Sequence, residues 1–231
     1  MDDSQQGRVA LVTGGARGLG IEVCRQLAQT GMTVWLTARD EERAAAVAAE
    51  MASDGDVRSA RLDIDDPADI AALAARTPRL DVLVNNAAID YDTDARALTA
   101  DLDRVRRDLD TNLFGAWRMA QAFAPHLRAS GHGRLVNVSS GAGSITEITS
   151  GRTPAYSTSK LALNGLTRML AAELREDGVL VNSVCPGWTA TDMGGGGRPV
   201  SEGARGITWA CLLDDDGPTG GFFRDGREIA W

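Results

Sequence analysis

Tyr156 and Lys160 stand four residues apart in Tyr156-Ser-Thr-Ser-Lys160, a spacing that puts both side chains on one face of a helix. An ammonium held beside a phenol favours its ionised form, so this spacing predicts a tyrosine pKa lowered from about 10 toward neutrality. A fall of about three units corresponds to about 4 kcal/mol of differential interaction between the two protonation states. A phenol tuned in this way passes protons to and from a carbonyl or alcohol oxygen at neutral pH. The spacing alone is common in helices, so its meaning depends on what accompanies it. Ser140 ends the run Arg134-Leu-Val-Asn-Val-Ser-Ser140, and Asn112 lies in a helical stretch upstream. Neighbouring residues of a strand face opposite ways, so Ser139 and Ser140 are alternatives for one hydroxyl.

A second group of chemically suggestive residues opens the chain. Thr13-Gly-Gly-Ala-Arg-Gly-Leu-Gly20 lies between the first apolar run and the first helical pattern. Glycines there let the backbone turn sharply and approach a pyrophosphate, whose charge a helix N-terminus stabilises. The spacing is Gly14-x-x-x-Gly18-x-Gly20, with Gly15, Arg17 and Leu19 inside the loop. At the end of the second strand an acidic residue usually accepts from the ribose hydroxyls of NAD. This chain has Thr37-Ala38-Arg39 at that point. Arg39, with Arg17 placed to reach the same region, suits the charge-assisted hydrogen bonds of a 2′-phosphate, and hence NADPH. Asp40 follows directly and keeps an NAD reading open.

These groups need a scaffold, and the periodicity supplies one. Strands are expected at Arg8–Thr13, Thr33–Thr37, Val57–Leu62, Asp81–Asn85, Arg134–Val138, Leu180–Val184 and near Gly221–Phe223. Helices are expected at Leu19–Thr30, Glu41–Ser53, Asp66–Arg76, Asp101–Ala129 with Pro125 as a candidate break, Ala155–Asp177 and near Glu202–Leu213. Strand–helix alternation throughout predicts an α/β fold, a doubly wound parallel sheet of Rossmann type with helices on both faces. No internal repeat or linker divides the sequence, so residues 1–231 read as one domain. Gly194–Gly197 reads as a mobile loop.

The 231 residues are 43% hydrophobic and carry a formal net charge of −8. That balance excludes a basic nucleic-acid surface and attraction to anionic membranes. Cys24, Cys185 and Cys211 show no paired spacing, and with only His126 and His132 they build no plausible metal site. They read as buried thiols of a reducing compartment. Met1-Asp-Asp-Ser-Gln-Gln has no leader-like pattern and no run approaches the length of a membrane span, so a cytoplasmic location is expected.

With Thr13-Gly-x-x-x-Gly-x-Gly20, Leu62-Asp63, Asn85-Asn-Ala-Ala88, Asn112, Ser140 with Gly143, Tyr156-x-x-x-Lys160 and Pro186-Gly187 with Thr191, the chain resembles the short-chain dehydrogenase/reductase family over nearly its whole length. Leu36-Thr-Ala-Arg-Asp40, Cys185-Pro-Gly-Trp-Thr-Ala-Thr-Asp-Met193 and Trp231 look like the NADPH-using carbonyl-reductase branch. The resemblance implies that Tyr156 protonates a carbonyl oxygen as hydride arrives, and that Lys160 lowers the tyrosine pKa and bonds the nicotinamide ribose. It implies that Ser140, three residues before Gly143, donates to the substrate oxygen, while Asn112 holds a water behind Lys160. Asp63 with Ile64 would contact adenine, Asn86 and Ala87 the adenosine side, and Pro186, Gly187, Thr189 and Thr191 the nicotinamide.

Two departures stand out. Ala88 replaces the usual glycine of the fourth-strand motif, and Ser140 and Tyr156 are 16 residues apart, more than the family's common spacing. The mammalian carbonyl reductases carry a much longer insertion between these two residues, associated with a monomeric state. Its absence implies a homodimer or homotetramer paired through the helices near residues 101–129 and 155–177. The implied function is NADPH-dependent reduction of a small-molecule ketone or aldehyde. The alternatives are an NAD-dependent alcohol dehydrogenase or a cofactor-binding protein without chemistry.

Overall fold

The computed structural model describes residues 5–231; Met1–Ser4, part of the start read above as free of a leader pattern, lie outside the described residues. Its centre is one sheet of eight strands in the order β3-β2-β1-β4-β5-β6-β7-β8. The strands are β1 Val9–Val12, β2 Thr33–Ala38, β3 Val57–Arg61, β4 Val82–Asn85, β5 Arg134–Val138, β6 Leu180–Val184, β7 Phe222–Arg224 and β8 Arg227–Glu228. All pairings are parallel except β7 with β8.

Side-chain alternation explains why both faces are covered. Ala10, Val12, Val82, Val84, Val136 and Val138 pack on one face with Val23, Leu27 and Ile207. Leu11, Leu83 and Leu135, one residue out of step, pack on the other with Leu73, Met119 and Phe123. A strand apolar in both phases is stable only between two layers of helices. The first layer holds α1 Gly18–Gln29, α2 Glu41–Glu50 and α7 Val200–Cys211; the second holds α3 Pro67–Arg76, α5 Ala116–Ser130 and α6 Pro154–Glu173, with α4 Leu102–Leu109 packed on α6. Asp40, Asp66 and Asp101 cap α2, α3 and α4 by accepting from the backbone N–H groups of Arg43, Ala68 and Asp103. The order reverses between β1 and β4, so their carboxyl ends diverge and open a crevice, the usual ligand position in such sheets.

The expected elements are found with three differences. The long helix expected over 101–129 is divided by a π-turn at Asp110–Gly115, while Pro125 sits within a continuous α5. β8 was not expected; two charged, exposed residues carry no strand signal. Gly194–Gly197, read as mobile, lies in a laced turn: Gly194 N–H donates to Thr191 Oγ1, Gly195 N–H to Thr191 O, and Trp188 Nε1 to Gly194 O. All three cysteines are buried free thiols.

Candidate active site

The crevice is a cleft of about 460 Å³ running from the start of α2, past the glycine loop, to the first turns of α6. Gly14 has a left-handed backbone, φ 63°, and a Cβ built on it would stand 3.0 Å from the Cα of Ala87, so the space between the loop and β4 exists because no side chain fills it. The two walls are tied by Thr13, whose buried hydroxyl accepts from the N–H groups of Asn86 and Ala87, and by Asn86, whose Nδ2 donates to Thr13 O and Gly14 O. Gly18, Leu19, Asp63, Ile64, Asn86, Ala87, Pro186 and Thr191 line the cleft with Gly14. Gly15 and Gly20 do not; they pack inward against Leu36 and against Gly14 O and Asn86. Gly187 lies under the Arg198 guanidinium, and the Thr189 hydroxyl turns back to Pro186 O and Gly187 O.

At the end beside β2, Arg39 lines the cleft. Arg17 lines it too, but its guanidinium reaches across to Ala88 O at 3.1 Å, away from Arg39. The second cation beside Arg39 is Arg43, a cleft residue whose Nε donates to Ala16 O at 3.0 Å. Sequence reasoning passed over Arg43 as part of an ordinary helix. Its signal is the four-residue step from Arg39 across a helix start. Asp40 Oδ1 accepts from Arg43 N–H at 2.9 Å, so the carboxylate that kept an NAD reading open is engaged as a helix cap. The cleft suits a dinucleotide: it has an open cradle, cations at one end, and in its wall the buried Asp65 Oδ1, unpartnered among the described residues.

At the other end Tyr156 and Lys160 line the same cleft. Gly143 explains how β5 meets α6 there. A Cβ at Gly143 would fall 2.6 Å from the carbonyl carbon of Lys160, so only glycine lets the turn after β5 press on the helix. Lys160 is 2% exposed and its Nζ donates to Val138 O at 2.8 Å, 5.6 Å from the centre of the Tyr156 ring. Burial pulls the Lys160 ammonium down to about 8. Burial also pushes the Tyr156 phenol above its ordinary value, with the Ser140 hydroxyl working in the opposite sense. This corrects the expected fall: spacing brings the cation near, but it cannot show that desolvation outweighs it. The Ser140 hydroxyl acts on the phenol and accepts from Ala142 N–H but does not itself line the cleft, whereas Ser139 lines it and turns its hydroxyl to Lys160 O. Asn112, in the π-turn, is buried away from the cleft lining, with Oδ1 accepting from Ile89 N–H and Nδ2 donating to Ile89 O and Ser159 Oγ.

The loop from Ser140 to Tyr156 is anchored by groups that local patterns do not reveal. Ser144 Oγ donates to Ala230 O, Thr146 N–H and Oγ1 to Trp231 O, and Arg224 pairs with Glu147.

A dinucleotide-type cleft ending on a buried tyrosine–lysine pair defines an oxidoreductase of the Rossmann class. The chain belongs to the short chain dehydrogenase family, whose model matches residues 8–199. It is similar to (+)-neomenthol dehydrogenase of Arabidopsis thaliana, 34% identical over 284 aligned positions that take in 94% of this chain and 95% of the relative. It is also similar to carbonyl reductase [NADPH] 3 of Mus musculus, 34% identical over 97% of this chain and 98% of the relative. Among solved structures, NADPH-bound carbonyl reductase from chicken fatty liver superposes with a TM-score of 0.88 at 30% identity, over 99% of this chain and 96% of that one. The alignment with the plant enzyme is longer than this whole chain, so that relative carries residues absent here. The protein is an oxidoreductase of a family that uses nicotinamide cofactors, in a branch with carbonyl reductases among its relatives.

Proposed function

We propose that the protein reduces a ketone or aldehyde with NADPH, Tyr156 acting as general acid. The observation that carries this reading is the presence of Tyr156 and Lys160 in the same cleft as the glycine loop and Arg39. When bound, the reduced nicotinamide supplies the hydride. Tyr156 supplies the proton to the carbonyl oxygen, and its burial favours holding that proton until the oxygen arrives. Ser140 donates to the same oxygen, stabilising the charge that develops on it. Lys160, held on Val138 O, keeps a positive charge beside the phenol and stabilises the phenolate left by proton transfer until it is reprotonated. Arg39 and Arg43 hold the 2′-phosphate, a role Asp40 cannot oppose while it caps α2. Gly14, Gly18 and Leu19 cradle the pyrophosphate, Asp63 and Ile64 flank the adenine, and Pro186 and Thr191 wall the nicotinamide. Phe114 and Met169, exposed apolar residues of the π-turn and α6, mark the face through which copies pair as a dimer or tetramer.

Turnover of NADPH and NADH, followed by absorbance against a panel of ketones, aldehydes and quinones, tests the reading. Oxidation of NADPH dependent on a carbonyl compound, lost in Tyr156→Phe, supports it. Preference for NADH, or a Tyr156→Phe protein of undiminished rate, overturns it. Sedimentation that finds only a 24.4 kDa species removes the pairing.

A further inference from the structure

Helices α2, α3 and α4 begin with their own side-chain caps, but α6, which carries Tyr156, does not. Thr153 at its N-cap is in the left-handed region, φ 49°, and its hydroxyl bonds Arg152 O and Ser157 Oγ, not the first N–H groups of the helix. No acidic residue lies in the first turn. The free N–H groups are taken by a residue more than sixty positions away. Asp92, fully buried, accepts from Ala155 N–H at 2.9 Å through Oδ2 and from Tyr156 N–H at 3.1 Å through Oδ1. A buried carboxylate with both oxygens on the positive end of a helix is a strong fixed contact. Next to it, the Tyr91 ring meets the Tyr156 ring edge-on, with centroids 5.1 Å apart and planes at 88°. One dipeptide therefore holds both the main chain and the ring of the same tyrosine.

The strap is itself secured. Arg104 of α4 binds Asp90 with two nitrogens and Asp94 with a third contact, bracketing Tyr91 and Asp92. Asn112 grips Ile89 by both its N–H and its C=O and touches Ser159 on α6. Asn112 thus joins the strap to the helix that the strap positions.

We propose that Tyr91 and Asp92 are positioning residues that set where the Tyr156 hydroxyl stands over the cleft. The kinetic part of this inference rests on Tyr156 being the general acid; the structural part does not. A misplacement of about 1 Å in a reacting group costs on the order of 100-fold in rate.

The test compares Asp92→Ala, Asp92→Asn and Tyr91→Ala with the unaltered protein by two readouts. The first is hydrogen exchange of the peptide spanning residues 153–160. Loss of the cap is expected to speed exchange of the Ala155 and Tyr156 amides about tenfold or more in Asp92→Ala, with only part of the protection regained in Asp92→Asn, whose single amide oxygen can replace one of the two acceptors. The second is carbonyl reduction beside NADPH affinity from coenzyme fluorescence. For Asp92→Ala, kcat should fall about 100-fold with NADPH Kd within about twofold, and Asp92→Asn should recover to within about tenfold of the original. Tyr91→Ala leaves the backbone bonds in place and should lose about tenfold in kcat. Unchanged exchange in a folded Asp92→Ala overturns the strap. Faster exchange with unchanged kcat makes Asp92 a cap without a positioning role. Should Asp92→Ala fail to fold, a Tyr91→Ala protein of full kcat overturns the ring contact. Should the unaltered protein reduce no carbonyl, the proposed function fails, while exchange still decides whether Asp92 holds the main chain of Tyr156.

Discussion

Arg39 and Arg43, at the β2 end of the cleft, are exposed cations, whereas Tyr156 and Lys160, at the α6 end, are 9% and 2% exposed. The first pair sits in water and touches the fold through little more than Arg43 and Ala16 O. The second pair is embedded, and burial shifts both groups against their charged forms. Recognition at the first end can therefore be altered at little cost to folding. At the second end the same side chains carry both reactivity and a stability penalty, so a change in one moves the other.

The largest separation of the two ends is expected from Tyr156→Phe. A general acid contributes about 100- to 10,000-fold, so carbonyl reduction should drop about a thousandfold while NADPH binding, made mainly at the other end, stays within about twofold. Steady-state kinetics beside fluorescence titration check this; a comparable loss in both would erase the distinction. Arg39→Asp should show the reverse split. An exposed, charge-assisted contact to phosphate is worth about 1–2 kcal/mol after screening, so KM for NADPH should rise about five- to thirtyfold. The kcat at saturation and the melting temperature should hardly move. If NADPH affinity is indifferent to this change, the cationic end does not read a phosphate.

An intermediate effect comes from pH. Because Lys160 is drawn down to about 8, it carries its charge at neutral pH and loses it as pH rises through that value. The kcat/KM for reduction, which reports groups of the free enzyme, should be flat below about pH 7.5 and then fall by up to about tenfold per unit above 8. A profile that stays flat through about pH 9.5 would mean that the ammonium is not required, or that coenzyme-free burial does not set its titration.

Much of this arrangement was legible in the sequence, and the reasons for the exceptions are physical. The two-phase apolar strands, with Ala10 and Val12 on one face and Leu11 on the other, force a sheet covered on both sides. The glycine loop, Ser140, Tyr156 and Lys160 then fall at the carboxyl edge. The π-turn at Asp110–Gly115 was not legible, because one extra residue in a helix leaves its apolar pattern nearly intact. Asp92 escaped notice because its partners lie more than sixty residues downstream. The direction of the Tyr156 shift was misread for a related reason: spacing reports which charge is near, but only the packed structure reports how much water is gone. Thr189 was placed on the cofactor by resemblance alone; in the fold its hydroxyl braces the backbone at Pro186 O and Gly187 O.

The smallest effect concerns a buried group that lies behind the reacting end and takes no part in the proposed chemistry. Asp108, on the α4 face toward α6, is 1% exposed, and its Oδ2 has no partner among the described residues. Burial, with Asp90 and Asp92 nearby, raises its carboxyl from 3.8 to about 6, while Arg104 and Arg107 work in the opposite sense. Between those two values the folded protein binds more protons than the unfolded chain, so stability falls as pH rises across that window and the full cost is present above about 6. Asp108→Asn removes the charge and keeps the shape. It should stabilise the protein by on the order of 1 kcal/mol near neutrality, a rise of about 2–4 °C in Tm for a chain of this size. The gain should shrink as pH falls and vanish below about 4, where both forms of the site are neutral. Melting curves across that range decide the matter, and an Asp108→Asn protein less stable at neutral pH than at acid pH, relative to the original, would show that the carboxylate is favourably paired. Because Asp108 also acts electrostatically on Tyr156 and Lys160, the same variant should lower the titration of both groups slightly. That would move the alkaline limb of kcat/KM to lower pH and join the stability readout to the reacting end.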